Sequence, residues 1–317
     1  MNLLLRAGHC IFPLMNKRIF VFILLSLIWG STWLFVKMGL AVLPPFTFAG
    51  LRFGASALLL WVIAGLRKSE LPNTWAQWRV IVWIGFTGMS INYGLIFWGG
   101  KYISSGLAAV LQATIPAFGL VLAHYYVPGE RITLRKAFGI AIGIAGVALI
   151  FSNQFTLVGT MALAGSAALL LSALMVATTN IIVKAHARAL DPIVMAAGQM
   201  TVGVIPLFAV GAIWEGNPLN FPWNRTAALS LLYLVVIGST LAFILFYWLI
   251  RQIDVTKTML ISLITPVIAI TLGMVTLGER LTWRIAVGTL LILAGVGAIV
   301  GEQLIAKYLR APTPSNS

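Results

Sequence analysis

The chain repeats the stretch GERITLRKAFGIAIGIAGVALIF (129–151) as GERLTWRIAVGTLLILAGVGAIV (278–300), with the Gly-Glu-Arg start and the Ala-Gly-Val segment in register. It also repeats FWGGKYISSGLAAVLQATIP (97–116) as YWLIRQIDVTKTMLISLITP (247–266), and each of these two stretches ends in a proline. Both halves therefore carry the same order of apolar runs and turns. This pattern predicts a fold built from two copies of one structural unit.

The apolar runs around these stretches are long enough to cross a membrane. The chain has 317 residues, of which 60% are hydrophobic and 9% are charged, whereas a soluble domain carries about 25% charged residues. A membrane-spanning helix needs about 20 mostly apolar residues. Ten runs approach or meet that length and predict an all-α membrane protein: 19–38, 46–65, 79–98, 104–126, 136–151, 159–183, 192–214, 226–249, 256–277 and 283–301.

The number of runs in each repeat determines how the two repeats enter the membrane. Residues 19–151 hold five runs and residues 159–301 hold five more, so the second repeat is expected to be inserted upside down relative to the first. Such inverted-topology repeats can expose a central site to each side of the membrane in turn. Residues 1–18 and 302–317 are then tails on the same side.

The distribution of basic residues predicts the orientation. The formal net charge is +14, and the loops on one side hold fifteen Lys and Arg residues against five on the other. Cytoplasmic loops carry the excess of Lys and Arg, so we expect a multi-pass protein of the cell inner (plasma) membrane with both termini in the cytoplasm. Because the basic residues are scattered through short loops, the charge does not indicate a nucleic-acid partner.

Several short motifs have the order and spacing of a known family. LIWGSTW (27–33) with Lys37 in the first run, LRF (51–53) in the second, and the two Gly-Glu-Arg hairpins resemble the drug/metabolite transporter superfamily, in its EamA-type branch of two repeats. The resemblance extends over about residues 19–301. It implies a helical bundle whose central cavity is lined by spans 1–4 and 6–9, and it implies export or exchange of amino acids and other small metabolites.

Polar and aromatic side chains within the spans are the candidates for lining such a cavity. Trp29 and Trp33 lie in mid-span, where an interfacial anchor would find no headgroup. Asn180 in hydrocarbon needs a partner or water, while Gln112 can both donate and accept hydrogen bonds. For Gln112 an interhelical hydrogen bond is an equally open interpretation. The predicted lining residues are Trp29, Thr32, Trp33, Arg52, Tyr93, Gln112, Asn180 and Ser262.

Arg52 is the one clear charge within a predicted span, and Gln199 occupies the matching position in the second repeat. A buried cation is costly unless it is paired or hydrated. Arg52 therefore either binds a substrate carboxylate through two parallel hydrogen bonds or caps helix carbonyls in a structural role. The residues alone leave both alternatives open.

Two matched pairs are candidates for gating or for structural roles. Pro116 and Pro266 each break the hydrogen-bond ladder of a helix, which permits a hinge or frees a carbonyl for a ligand. Glu130 and Glu279 occupy the two Gly-Glu-Arg turns. Turn formation and ion pairing with nearby arginines explain these glutamates as well as gating does.

Glycine spacing in the last span of each repeat indicates close helix packing. Gly139 and Gly143 in the fifth span, and Gly297 and Gly301 in the tenth, follow the pattern of small residues four apart that lets helix backbones approach. These contacts serve either the scaffold of one chain or a homodimer.

Acidic residues are missing from the depths of the predicted spans. All seven Asp and Glu residues lie in loops or near span ends, whereas carriers of lipophilic cations use a buried carboxylate. The pattern favours neutral, zwitterionic or anionic cargo. His124 is the candidate for proton coupling because its ring titrates near neutral pH, and uncoupled facilitated diffusion is also open.

Other classes of function lack their signatures. The single cysteine, Cys10, excludes an internal disulfide framework and a thiolate metal cluster, and there is no phosphate-binding glycine loop or nucleophile–base pair. We therefore expect no cofactor, no metal and no enzymatic activity. The sequence predicts a secondary transporter that exports small metabolites, amino acids or similar zwitterionic or neutral compounds, by alternating access. The alternative is a facilitative channel-like or sensory membrane protein without coupled transport.

Overall fold

The computed structural model describes residues 17–126, 132–157, 159–186, 190–252 and 261–310. These residues are helical apart from short connections, and no strand occurs among them. The helices are α1 (Lys17–Leu40), α2 (Pro45–Leu66), α3 (Trp75–Gly100), α4 (Ser105–Tyr126), α5 (Leu134–Leu157), α6 (Thr160–His186), α7 (Pro192–Trp214), α8 (the consecutive segments Arg225–Tyr233, Leu234–Leu241 and Ala242–Gln252), α9 (Ile261–Leu277) and α10 (Trp283–Arg310).

The chain is a multi-span membrane protein. Within the described ranges, seven helices are long and apolar enough to cross a membrane, with mean hydropathies between 1.6 and 2.4: α1, α2, α3, α4, α6, α7 and α8. The apolar stretches Ile264–Leu277 in α9 and Trp283–Ala298 in α10 are shorter. Helix α10 continues to Arg310, past the predicted boundary at residue 301, because residues 302–310 are mostly good helix formers.

Helices α3 and α8 share an unusual local structure. Each contains a π-helical turn, Gly85–Ile91 in α3 and Leu234–Leu241 in α8, at matching positions of the two predicted repeats. A π-helical turn accommodates an extra residue and shifts the backbone hydrogen bonds. The Ser90 hydroxyl donates to the Gly203 carbonyl of α7 at 2.9 Å, and the Ser56 hydroxyl of α2 donates to the Val235 carbonyl at 3.2 Å. The turns thus attach α3 to α7 and α8 to α2.

We call the end of the bundle at which α1 begins the near end, and the end at which α1 stops the far end. At the far end, the Glu215 carboxylate that follows α7 accepts hydrogen bonds from the backbone amides of Phe46 (2.8 Å) and Thr47 (2.7 Å) in the first turn of α2. A carboxylate satisfies the free amides at a helix start and interacts favourably with the helix dipole. The start of α2 therefore lies beside the end of α7.

Two more polar contacts hold the turn between α3 and α4 at the far end. The Glu279 carboxylate, in the turn between α9 and α10, accepts from the Ser105 amide (2.7 Å), the Ser105 hydroxyl (2.9 Å) and the Gly106 amide (3.3 Å). From the other side, the Lys37 ammonium donates to three carbonyls of this turn, at 3.1, 3.1 and 2.6 Å. The turn is therefore joined to α1 and to the α9–α10 connection.

Glycines let α5 and α10 pack backbone against backbone. A Cβ atom on Gly146 would lie 2.6 Å from the Gly288 carbonyl, and one on Gly288 would lie 2.8 Å from the Gly146 carbonyl. Gly139 and Gly143 also lie against α10 of the same chain, because a Cβ on Gly295 would meet the Gly139 carbonyl and the Gly143 backbone. These two glycines thus serve the scaffold of one chain, whereas a Cβ on Gly297 would meet no other helix among the described residues.

Candidate binding cavity

A cavity of about 550 Å³ lies between α1–α4 and α6–α9, within the size range of small-molecule sites. It extends from Val36 and Ile96, about one helical turn from the far end, to Leu190 and Pro192 at the near end. The eight side chains predicted to line a cavity all line this one: Trp29, Thr32, Trp33, Arg52, Tyr93, Gln112, Asn180 and Ser262.

Buried apolar side chains lie beyond the far limit of the cavity. Leu40 at the end of α1, Leu43 in the following turn and Ile103 between α3 and α4 are all buried. They belong to the same hydrophobic cluster as Val36 and Ile96, which line the cavity. The far end of the bundle is thus packed with apolar side chains next to the cavity.

Aromatic rings form one wall of the cavity. The Trp29 ring lies 4.9 Å from Phe246 and 6.4 Å from Phe243, measured between centroids, and Phe246 lies 5.6 Å from Tyr247. All four side chains line the cavity. Tilted and edge-to-face rings at these separations pack favourably, so α1 and α8 present a rigid apolar surface to any ligand.

Gln112 belongs to a chain of buried hydrogen bonds that links three helices. Its Nε2 donates to the Leu169 carbonyl (3.1 Å) and to the Ser172 hydroxyl (2.8 Å), and that hydroxyl donates to Oδ1 of Asn92 (2.5 Å). Both Gln112 donors are thus engaged on α6, and its Oε1 accepts no hydrogen bond within the described part of the chain. Gln112 therefore offers the cavity an acceptor.

Sequence reasoning missed the other two members of this network. Asn92 lines the cavity and Ser172 lies behind it, completely buried. Asn92 could have been found from the sequence, because an asparagine within an apolar run has an amide that needs partners in hydrocarbon. Ser172 gave no signal, since serines in membrane helices commonly bond to their own backbone, as Ser166 does.

Arg52 is held by α8 and by aromatic rings. Its Nε donates to the Ser239 hydroxyl at 2.8 Å and its Nη2 to the Gly238 carbonyl at 3.2 Å, both in the π-helical turn. Its guanidinium carbon lies 4.7 Å from the ring centroid of Phe53 and 5.6 Å from that of Tyr93. The side chain both caps a carbonyl and lines the cavity, so the two alternatives raised by the sequence are not exclusive.

Gln199 occupies the position in α7 that matches Arg52 in α2. It lines the cavity, and its Nε2 donates to the Tyr247 hydroxyl at 2.9 Å. Among the described residues that line the cavity, Arg52 carries the only charge and there is no Asp or Glu. The two matched positions in the cavity wall therefore differ in charge.

The two matched prolines lie in different settings. Helix α4 is interrupted at Ala113 and Thr114, just before Pro116, which lines the cavity. Proline has no amide hydrogen to bond the carbonyl four residues earlier, and here that carbonyl belongs to Gln112. Pro266 is buried inside the continuous helix α9 and does not line the cavity.

The remaining candidates lie away from the cavity or outside the described residues. Glu279 caps the start of α4 at the far end, and its counterpart Glu130 lies outside the described residues. His124 is exposed near the end of α4, with its ring 5.2 Å from that of Tyr125, and it does not line the cavity.

Known proteins resemble this chain over most of its length. The uncharacterized transporter YoaV of Bacillus subtilis is 29% identical over 283 residues, which cover 89% of this chain and 96% of that one. The inner membrane transporter YedA of Escherichia coli is 29% identical over 296 residues, covering 91% and 92%. One solved crystal structure superposes with a TM-score of 0.65 and 20% identity, over 93% of this chain and 99% of the other; this likeness concerns the fold alone.

A family model gives the assignment. The model of the EamA-like transporter family matches residues 16–152 and again residues 163–301, which together make up most of the chain. Both relatives described above are named as uncharacterized transporters, and the matched residues hold the cavity and all of its described walls. The chain is therefore a membrane transporter of the EamA-like transporter family, in the drug/metabolite transporter superfamily.

Proposed function

We propose that this transporter exports small metabolites, amino acids or similar zwitterionic or neutral compounds, by alternating access around the central cavity. The main support is the cavity of about 550 Å³, which is lined by polar and aromatic side chains from both halves of the chain. We infer that its far side is closed, because buried apolar residues pack beyond Val36 and Ile96, while the cavity reaches Leu190 and Pro192 at the near end. A compartment closed on one side is what a carrier needs in order to bind cargo before it reopens.

The proposal includes ten spans arranged as two inverted repeats, residues 19–151 and 159–301. Glu215 joins the start of α2 to the end of α7, and Glu279 joins the start of α4 to the turn that follows α9. The second helix of one repeat thus runs opposite to the second helix of the other, and the fourth helices do the same. The matched π-helical turns in α3 and α8 support the same relation.

The near end is proposed to face the cytoplasm, with both termini on that side, because the excess of Lys and Arg falls on near-end loops. In this arrangement the cavity is closed toward the outside of the cell and reaches the cytoplasmic side. That is the state in which an exporter takes up its cargo.

The test is flux in proteoliposomes with a panel of labelled amino acids, with and without a pH gradient. We expect saturable flux of at least one compound, and we expect Gln112→Ala to reduce it at least about tenfold, because the cavity loses an acceptor and the Leu169 carbonyl and Ser172 hydroxyl lose the donor that bonds them. Thr271→Ala is the control, since Thr271 is exposed on α9 and its hydroxyl bonds only to its own helix.

The kind of flux observed separates the carrier from its alternatives. Flux that saturates and exchanges in both directions supports a carrier, whereas flux that never saturates indicates a channel. Flux that responds to the pH gradient indicates proton coupling, and flux that ignores it indicates a facilitator. No flux of any compound by folded, correctly inserted protein would contradict the proposal and favour a sensor.

The buried hydrogen-bond network of Gln112, Ser172 and Asn92 supports a second prediction. Ser172→Ala removes the hydroxyl that joins Gln112 to Asn92, so the Gln112 amide loses its fixed orientation and the KM for the transported compound should rise several-fold. Ser166→Ala is the matched control, because both serines are completely buried on α6 but Ser166 bonds only to the Ala162 carbonyl of its own helix. Equal KM values for the two variants would exclude a role for the network in binding.

A further inference from the structure

The charge of Arg52 is not neutralised by any carboxylate within the described part of the chain. The side chain is only 4% exposed, and within the described part of the chain it contacts a hydroxyl, a carbonyl and aromatic rings. These groups position a guanidinium but leave its net charge in place. Burying an unpaired cation is costly, and the cost falls when an anion binds beside it.

The free part of the guanidinium has the geometry that a carboxylate requires. Nε and one hydrogen of Nη2 are engaged by α8, while Nη1 makes no hydrogen bond within the described ranges. Arg52 lines the cavity, so the edge formed by Nη1 and Nη2 is left for a ligand. Two parallel N–H donors of an arginine match the two oxygens of a carboxylate.

The described walls of the opposite half contain no charged group that would favour a positively charged part of a ligand. At the position that matches Arg52, Gln199 is neutral and its amide donates to Tyr247. Gln112 presents a neutral acceptor, and no acidic side chain lines the described walls. The acceptors that the described walls offer to a ligand ammonium, such as the amide oxygens of Gln112 and Asn180, are all neutral, and the remaining contacts are with aromatic faces. The cavity is thus polarised toward anions.

Resting on the proposed function of this cavity, we propose that its ligands are recognised through a carboxylate bound by Arg52. The apolar body of the ligand packs on the aromatic wall of Trp29, Phe243 and Phe246, and a positively charged amino group is not required. The substrate class is therefore carboxylates with an apolar or aromatic body, of which neutral-side-chain amino acids are one subset.

Binding to the purified full-length protein in detergent tests this directly, with three probes that share one aromatic body: 3-phenylpropanoate, phenylalanine and 2-phenylethylamine. We expect both carboxylates to raise the midpoint of thermal unfolding, with dissociation constants within about threefold of each other, and the amine to have no effect. Arg52→Gln, which installs the residue of the second repeat, is expected to weaken both carboxylates by about 10- to 100-fold, the range of a charged hydrogen-bonding group.

Arg225→Gln is the control for loss of one positive charge, because Arg225 is exposed at the start of α8 and outside the cavity. If Arg52→Gln does not fold, the three probes on the unaltered protein carry the test. Binding of 2-phenylethylamine as tightly as 3-phenylpropanoate, or of phenylalanine alone, overturns the inference, and so does failure of both carboxylates to bind. Flux is a separate readout: carboxylates that bind but are not moved contradict the carrier and leave the recognition of the carboxylate standing.

Discussion

Gly99→Ala is expected to lower the midpoint of thermal unfolding by several degrees and to reduce the yield of folded protein. A Cβ atom at Gly99, near the end of α3, would lie 2.6 Å from the backbone carbonyl of Gly165 on α6, and one at Gly165 would lie 2.8 Å from the Gly99 carbonyl. Backbone atoms cannot rotate aside as a side chain can, so the two helices must separate. Forcing extra atoms into a packed contact costs about 1–3 kcal/mol.

The neighbouring glycine provides the matched control. Gly100 is also buried at the end of α3, but a Cβ there would have only one neighbour, a Leu40 methyl at 3.5 Å, which is an ordinary contact. Gly100→Ala should therefore leave the unfolding midpoint nearly unchanged or raise it slightly, as alanine is the better helix former. Equal midpoints for the two variants, measured in the same detergent, would show that the close approach of α3 and α6 does not limit stability.

Glu279→Ala is expected to open the far end of the cavity. Its carboxylate accepts three hydrogen bonds from Ser105 and Gly106, and these must break if the α9–α10 turn is to move away from the start of α4. Hydrogen bonds to a charged group contribute about 1.5–3 kcal/mol each. Glu279 is only partly buried, so water replaces most of these bonds, and a net loss equal to one of them should shift the population toward a far-side-open state by about 10- to 100-fold.

A single cysteine within the cavity measures this shift. Ile96→Cys places a thiol in the cavity wall closest to the far end, in a chain whose own Cys10 is replaced by serine. We expect Glu279→Ala to speed labelling by an impermeant thiol reagent added from the far side, and we expect Glu215→Ala to act in the same direction by releasing α2 from α7.

Glu70→Ala serves as the control for this measurement, because Glu70 is an exposed carboxylate in the loop between α2 and α3. Labelling rates that match those of Glu70→Ala in both variants would show that the two carboxylates stabilise helix starts without holding the far end closed.

The candidate lining residues could be predicted from the sequence because they are polar or amphipathic side chains within apolar runs. Trp29, Gln112 and Asn180 are polar or amphipathic groups within apolar runs, where each needs a partner or a cavity, and the structure brings them to one cavity. The prolines show the limit of such reasoning. Pro116 and Pro266 match in sequence, yet α4 is interrupted just before the first and α9 continues through the second.

The linear sequence determined the properties that depend on composition and order along the chain. An apolar content of 60% with few charges demands a lipid environment, and the repeated Gly-Glu-Arg and proline segments predict two copies of one unit. Helix starts are local too: the Thr74 and Asn224 side chains cap α3 and α8 at matching positions.

Tertiary structure alone decided which groups meet across distant parts of the chain. The network of Gln112, Ser172 and Asn92 joins three helices. Arg52 donates a hydrogen bond to the π-helical turn of α8, which lies almost 190 residues further along the sequence. Hydrogen bonds of this kind depend on how each helix is rotated and how deep it lies in the bundle. Packing between helices determines both, and the hydropathy pattern contains no information on either. The asymmetry between Arg52 and Gln199 is visible in the sequence, but only the shared cavity gives it a chemical meaning.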